Sequence, residues 1–383
     1  MVSTRITLLL LVLSLGYFRQ HTQAGRIDSA AFALPSAPAP ADTTFAALIE
    51  RLSEPGGYFD SDNLISNEAS YLHVLGRMRQ LGVRGGAYVG VGPDQNFSYI
   101  AHVRPEIAFI IDIRRDNLLH HLLYKALFQL AGNRIEYLCL LFGRPLPEDP
   151  ARYDGRRVED LVDYIDDIPG RVELFEATAQ RIRTIVPTFG YPLSAQDLDT
   201  IRRIHAAFFR AGLDLRFTSR GRAARTYYPN FRDLIFATDL ALRQGNYLAI
   251  EESFRFVKEL QAKHLIVPVV GDLAGPHALR AIGREIERRG LFVSAFYTSN
   301  VEYYLMIDGI FDRYVASVST MPYRPESVII RSYFGRGFPH PQNVGGSYAT
   351  QLLERFETFN AEAEAGGYLS YDDLVRKNVL TNR

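Results

Sequence analysis

A chain of 383 residues, 47% hydrophobic and 22% charged, can bury a sizeable core, as one large domain with an insertion or as two domains. Its 43 basic and 43 acidic residues cancel, so no basic face for nucleic acid is implied. The single cysteine, Cys139 in the apolar run YLCLLFG, excludes a disulfide framework, reads as a buried structural thiol, and leaves no zinc-ligand spacing.

Arg5 precedes an apolar run from Ile6 to Phe18, and Thr22-Gln23-Ala24 offers a small-residue cleavage site. This predicts a signal peptide over residues 1–24, too short to cross a bilayer, so no stable membrane span remains after cleavage. The protein is then exported, to the periplasm or beyond, and stays cytoplasmic only if the signal is unused. The Ala/Pro/Ser-rich stretch that follows reads as a flexible linker over 25–42, with the folded domain over 43–383.

Phe45 to Leu52 reads as a short helix. A polar loop, Gly56 to Asn63, leads to a helix capped by Ser66 or Asn67 and running to Gln80, with Leu72, Leu75 and Met78 inward. Glu68 and Tyr71 on this segment are candidates to face a pocket.

The organising stretch is Gly85 to Asn117. A short apolar strand, Ala87 to Val89, runs into Gly90-Val91-Gly92, where two glycines permit a tight turn and close approach of a ligand to bare backbone. Asp94 is placed to cap the next helix. The strand Ile107 to Ile113 is almost wholly apolar, as in a parallel sheet covered on both faces. Asp112 at its end falls about twenty residues after the turn, a spacing suited to a carboxylate on ribose hydroxyls. Gln95 stands where a dinucleotide fingerprint has its third glycine, which argues against that site; a plain tight turn is the competing reading.

A long helix is expected from Ile113 to about Phe142. On it His120 and His121 point about 100° apart, one inward and one outward, and make no joint metal face. Residues 117–263 read as a helical insertion, with helices over Val172–Val186, Ala195–Ala211, Phe231–Arg243 and Ile250–Ala262. Within it a basic loop carries Arg216, Arg220, Arg222 and Arg225, anion-facing or merely solvated. The strand–turn–helix pattern then resumes. His264–Val270 ends in Gly271-Asp272, Leu291–Tyr297 ends in Thr298-Ser299-Asn300, and Ser327–Ser332 follows. A Glu-rich helix closes the chain, after a structural His340 between prolines. The pattern predicts an α/β fold, a doubly wound, mainly parallel Rossmann-like sheet. Gly90, Gly92, Asp112, Asp272, Ser299 and Asn300 would then gather at one edge.

From Leu52 to about Ser332 the chain resembles an uncharacterised bacterial family of Rossmann-like proteins. The resemblance is carried by Ser53 to Tyr71 (SEPGGYFDSDNLISNEASY), Gly90 to Ala101 (GVGPDQNFSYIA), Asp112 to Asn117 (DIRRDN), Leu265 to Pro276 (LIVPVVGDLAGP) and Phe296 to Leu305 (FYTSNVEYYL). It implies a fold similar to class I S-adenosylmethionine (SAM)-dependent methyltransferases, but no established activity. The Ser299-Asn300 turn also resembles a segment of SAM-using aminocarboxypropyl transferases. Mapped so, Gly90 and Gly92, with Gln95 and Asn96 beside them, would border the methionine part of SAM. Asp112 would take the ribose and Asp272 the adenine amine, while Tyr297, Ser299 and Asn300 would face an acceptor. One reading of the function is then a SAM-dependent transferase acting on a small molecule. Export conflicts with that, because SAM is a cytoplasmic cofactor. The alternative is an exported, non-catalytic binding protein or pseudoenzyme that keeps the pocket. A third reading, a nicotinamide dinucleotide enzyme with Arg114 on a 2′-phosphate, is opposed by Gln95.

Overall fold

Apolar runs bounded by turns become the strands of one sheet. A computed structural model describes residues 44–220, 225–335 and 338–382. The expected signal peptide, the linker and Arg222 lie outside the described residues. The strands are β1 (Ala87–Gly90), β2 (Ile107–Asp112), β3 (Ile266–Val270), β4 (Val293–Ser299), β5 (Tyr323–Tyr333) and β6 (Thr350–Arg355). Their order is β3-β2-β1-β4-β5-β6. The first five run parallel; β6 pairs antiparallel with β5, Ile330 against Leu353. The α/β class and the largely parallel sheet are therefore as the apolar runs predict. β1 to β3 are buried along nearly their whole length, as parallel strands require. Pro268 is tolerated because β3 is an edge strand, where one missing N–H leaves no neighbour unpaired.

The order reverses between β1 and β4. From β1 the chain moves outward to β2 and β3; it then returns to the other side of β1 to lay down β4 and β5. Such a reversal opens a crevice outside the carboxyl ends of the two strands. Between β2 and β3 the described residues form helices and turns and contribute no strand to the sheet. Among the described residues no helix is long and apolar enough to cross a membrane.

Several local expectations fail for identifiable reasons. The helix expected up to Gln80 begins only at Leu75, because Ser70 and Tyr71 turn inward to tertiary partners, Ser70 Oγ to the Ala349 carbonyl at 2.6 Å. The long helix after β2 is two, Arg115–Leu130 and Arg134–Phe142. Gly132 and Asn133 break it, and Asn133 caps the second piece through Glu136 N. Both His120 and His121 are buried, rather than one inward and one outward. The helix Phe231–Arg243 stops at Ile235, since the Asp239 carboxylate folds the chain back onto the N–H groups of Ala241 and Arg243. β6 is a strand that the sequence reading missed. Asp94 occupies the N-cap of Gln95–Val103, but its side chain makes no cap bond.

Candidate functional site

The glycine turn after β1 is closed by its own helix. Asn96 donates through Nδ2 to the carbonyls of Val91, Gly92 and Pro93 at 2.9, 3.3 and 2.7 Å, and accepts from Tyr88 Oη at 2.8 Å. A Cβ on Gly90 would stand 2.0 Å from Asn96 Oδ1, so this glycine is required by Asn96. Gly92 has φ +85°, a left-handed conformation that favours glycine. Its carbonyl meets His121 Nε2 at 2.9 Å. A carbonyl only accepts, so that nitrogen carries the ring proton. Burial lowers the His121 pKa to about 4, which keeps the ring neutral.

Next to this turn, at the reversal point, the carboxylate of Glu68 is buried among donors. Its oxygens accept from Tyr297 Oη at 2.6 Å, Ser299 Oγ at 2.5 Å, Ser332 Oγ at 2.5 Å and Gln351 Nε2 at 2.8 Å. Ser299 holds φ +52°, uncommon for a residue with a Cβ, and ends β4 at a sharp turn into the helix Val301–Ile307. Gln95 reaches Tyr297 Oη only at 3.5 Å, and its Oε1 has no partner among the described residues. Glu68, Gln95, Tyr297 and Ser299 thus converge. Asn300 sits at the N-cap of the following helix with no side-chain cap bond. Tyr71 is not with them; it is wholly buried, with its hydroxyl on Asn246 and the Leu234 carbonyl.

Asp112 lies at the end of β2, on the same edge. Arg114 grips it through Nε at 3.1 Å and a second guanidinium nitrogen at 2.8 Å, and the Arg114 backbone N–H adds a bond of 2.9 Å. Three of about four lone-pair directions on that carboxylate are thereby filled. The segment after Leu52 lies across the neighbouring strand ends. Glu54 N–H donates to the Val270 carbonyl at 2.9 Å and Gly57 N–H to the Ile113 carbonyl at 2.7 Å. A Cβ on Gly57 would come within 2.7 Å of the end of the Ile113 side chain, so a larger residue here would require Ile113 to move. The Glu54 carboxylate accepts from the backbone N–H groups of Asp272, His277 and Ala278 at 3.0, 2.9 and 3.0 Å. It thus fills the anion-binding turn after β3 from within the chain. Asp272 folds its own turn, accepting from Ala274 N at 2.9 Å.

What stays open lies on the other side of Arg114. A cavity of about 540 Å³ is enclosed by the Gly57–Leu64 loop, the start of the helix Arg115–Leu130, the helix Ala195–Ala211 and Arg220. Arg114 forms its wall, donating to the carbonyls of Ser61 and Asp62 at 3.3 and 3.0 Å while holding Asp112. The loop is pinned to residues 218–220, with Asp62 accepting from Thr218 N at 3.1 Å and Thr218 Oγ1 at 2.6 Å. Of the polar residues of this cavity, Ser61 and Asn117 fall within segments that carry the resemblance, Arg220 lies in the basic loop, and His120 and Arg210 lie in no motif. The five come from three distant segments, and nothing in the sequence brings them together. Among the described residues no group of three or more His, Cys, Asp or Glu side chains is placed to hold a metal ion.

A family model described as a domain of unknown function, DUF7790, matches residues 64–142 and 221–381, together over half of the chain. No curated protein matches the sequence.

Proposed function

We propose that this protein, which belongs to the DUF7790 family of unknown function, is a small-molecule-binding protein. In this reading it keeps a Rossmann-like sheet but holds its ligand in the cavity beyond Arg114, not in the nucleoside crevice. One observation carries the reading: the bidentate grip of Arg114 on Asp112 closes the ribose position, while the same arginine walls an open cavity of about 540 Å³. Pockets for small ligands span roughly 300–1,000 Å³. The cover of Gly56 and Gly57 over the ends of β2 and β3 supports it, since an adenine ring would need that space. Export by the N-terminal signal, which we propose with it, would take the chain away from cytoplasmic SAM. Mass spectrometry of natively expressed protein is expected to find an N-terminus at Gly25; intact Met1 in the cytoplasm would overturn the export proposal.

A second reading, a SAM-dependent transferase of the class I methyltransferase type, is favoured by a different observation. The strand order 3-2-1-4-5 with its reversal between β1 and β4 is that of nucleotide-binding sheets. The strained Ser299 and Glu68 stand at that reversal, where an acceptor would lie.

Thermal melts with SAM, its demethylated product and NAD(P) separate the two. The binding-protein reading expects no shift at millimolar concentration. It also expects Asp112→Ala to lower stability by roughly 3–5 kcal/mol, because a poorly exposed arginine loses its partner. The transferase reading expects a SAM-dependent shift. In calorimetric titration Asp112→Ala would then weaken SAM more than tenfold, since each charge-assisted bond to ribose contributes about 1.5–3 kcal/mol. Gly92→Val would abolish that binding.

A further inference from the structure

We infer that the cavity beyond Arg114 binds a small phosphate ester, with the phosphate at Arg210 and Arg220 and the hydroxyl-bearing body on Ser61, Asn117 and His120. The inference rests on the cavity reading above and gives that ligand its chemical class.

The charge of the cavity is one-sided. Five arginines and two aspartates line it. Arg114 and Arg115 are committed, the first to Asp112 and the second to Asp197 through bonds of 2.9 and 3.0 Å. Arg203 reaches Asp116 only at 3.5 Å. Arg210 and Arg220 have no carboxylate partner among the described residues, and the Arg220 guanidinium lies over the Tyr58 ring, 5.6 Å from its centre. Two unpaired, planar guanidinium groups at one mouth suit an oxyanion with several acceptor oxygens. The helix Arg115–Leu130, sixteen residues long, begins at the same cavity with no side-chain cap, and adds the positive end of its dipole.

The depth of the cavity is different. Ser61, Asn117 and His120 line it, each about 2% exposed. Among the described residues, Ser61 Oγ, both amide atoms of Asn117 and His120 Nε2 have no hydrogen-bond partner. Buried polar atoms are nearly always paired, and each unpaired one is costly. Three such side chains among the lining residues of one cavity form a polar floor, and their unpaired atoms, sealed from solvent in this structure, would turn to meet a bound molecule. The floor carries no charge, since burial, with His121 and Arg114 nearby, holds the His120 imidazole far below its ordinary pKa. A neutral imidazole, an amide and a hydroxyl offer mixed donors and acceptors, which is what a polyol presents. Inorganic phosphate alone would use the mouth and leave this floor unfilled.

The test is calorimetric titration of the full chain with ribose 5-phosphate, inorganic phosphate, adenosine and glucose. Ribose 5-phosphate is expected to bind at least tenfold more tightly than inorganic phosphate, and less tightly as salt rises. Arg210→Ala and Arg220→Ala should each weaken both phosphates at least tenfold, with unchanged melting temperatures because both side chains are exposed. Asn117→Leu should weaken ribose 5-phosphate and leave inorganic phosphate as it was. Ala207→Phe, which fills the cavity from the helix Ala195–Ala211, should abolish both. Phosphate binding that ignores the two arginine variants overturns the inference. Binding of adenosine or glucose, lost in Ala207→Phe, with no phosphate binding would overturn the phosphate class and leave the cavity reading standing. No binding of any probe would overturn both.

Discussion

Arg331→Leu is expected to lower the free energy of unfolding by roughly 3–5 kcal/mol, among the largest effects for a single change in this chain. Arg331 on β5 is wholly buried between Glu302 and Glu354, at 2.7 and 2.6 Å. Both carboxylates are also buried, and hydroxyls complete their bonding. Thr298 Oγ1 and Tyr314 Oη donate to Glu302 at 3.1 and 3.0 Å, and Tyr368 Oη donates to Glu354. Burial already pushes the Glu354 pKa upward, against the pull of Arg331. Removing the arginine leaves two carboxylates facing each other away from water, with no cation to offset their desolvation. Urea denaturation of the variant against the parent reads the loss. A triple replacement, Arg331→Met with Glu302→Leu and Glu354→Leu, is expected to recover most of it, because an apolar set of similar volume carries no desolvation penalty. If the single variant is as stable as the parent, the triad is not the closed unit described.

This network also shows where sequence reading stops. The parallel strands were legible because IAFIID, IVPVV and VSAFYTS are apolar runs of strand length between turn residues, and burial on both faces needs that composition. β6 was not legible. Its residues Gln351 and Glu354 are polar yet buried, since they serve Glu68 and Arg331 rather than a hydrophobic face. The candidate site divides in the same way. Gly90, Gly92 and Asp112 were found by spacing along one segment. The grip of Arg114 on Asp112 depends on side-chain rotamers that no spacing fixes. Glu68 was a candidate from the segment after the polar loop, but its partners come from β4, β5 and β6, more than two hundred residues away. Ser61 and Asn117 stand in segments that carry the resemblance but were not read as site residues, and His120 and Arg210 stand in none, because tertiary packing alone makes the four neighbours.

A pH-dependent loss of stability is expected from Asp94, in the turn between β1 and the helix Gln95–Val103. The residue is 4% exposed, and its carboxyl accepts a bond of 3.1 Å from Tyr247 Oη. Burial raises its pKa to about 7, with the Tyr247 bond only partly opposing the shift. In the unfolded chain the ordinary value is about 3.9. The folded state therefore binds more protons between about pH 4 and pH 7, so stability falls as pH rises through that window. At about 1.4 kcal/mol per unit, the full effect is on the order of 4 kcal/mol, reached above pH 7. Asp94→Asn presents a neutral group of the same shape at every pH. Its stability relative to the parent should be near zero at pH 4 and grow to several kcal/mol by pH 8. Denaturant titrations of both proteins at pH 4, 6 and 8 read this directly. A difference that stays flat across the three would mean that Asp94 is ionised in the folded protein at low pH. The wall of the glycine turn would then be anionic rather than neutral.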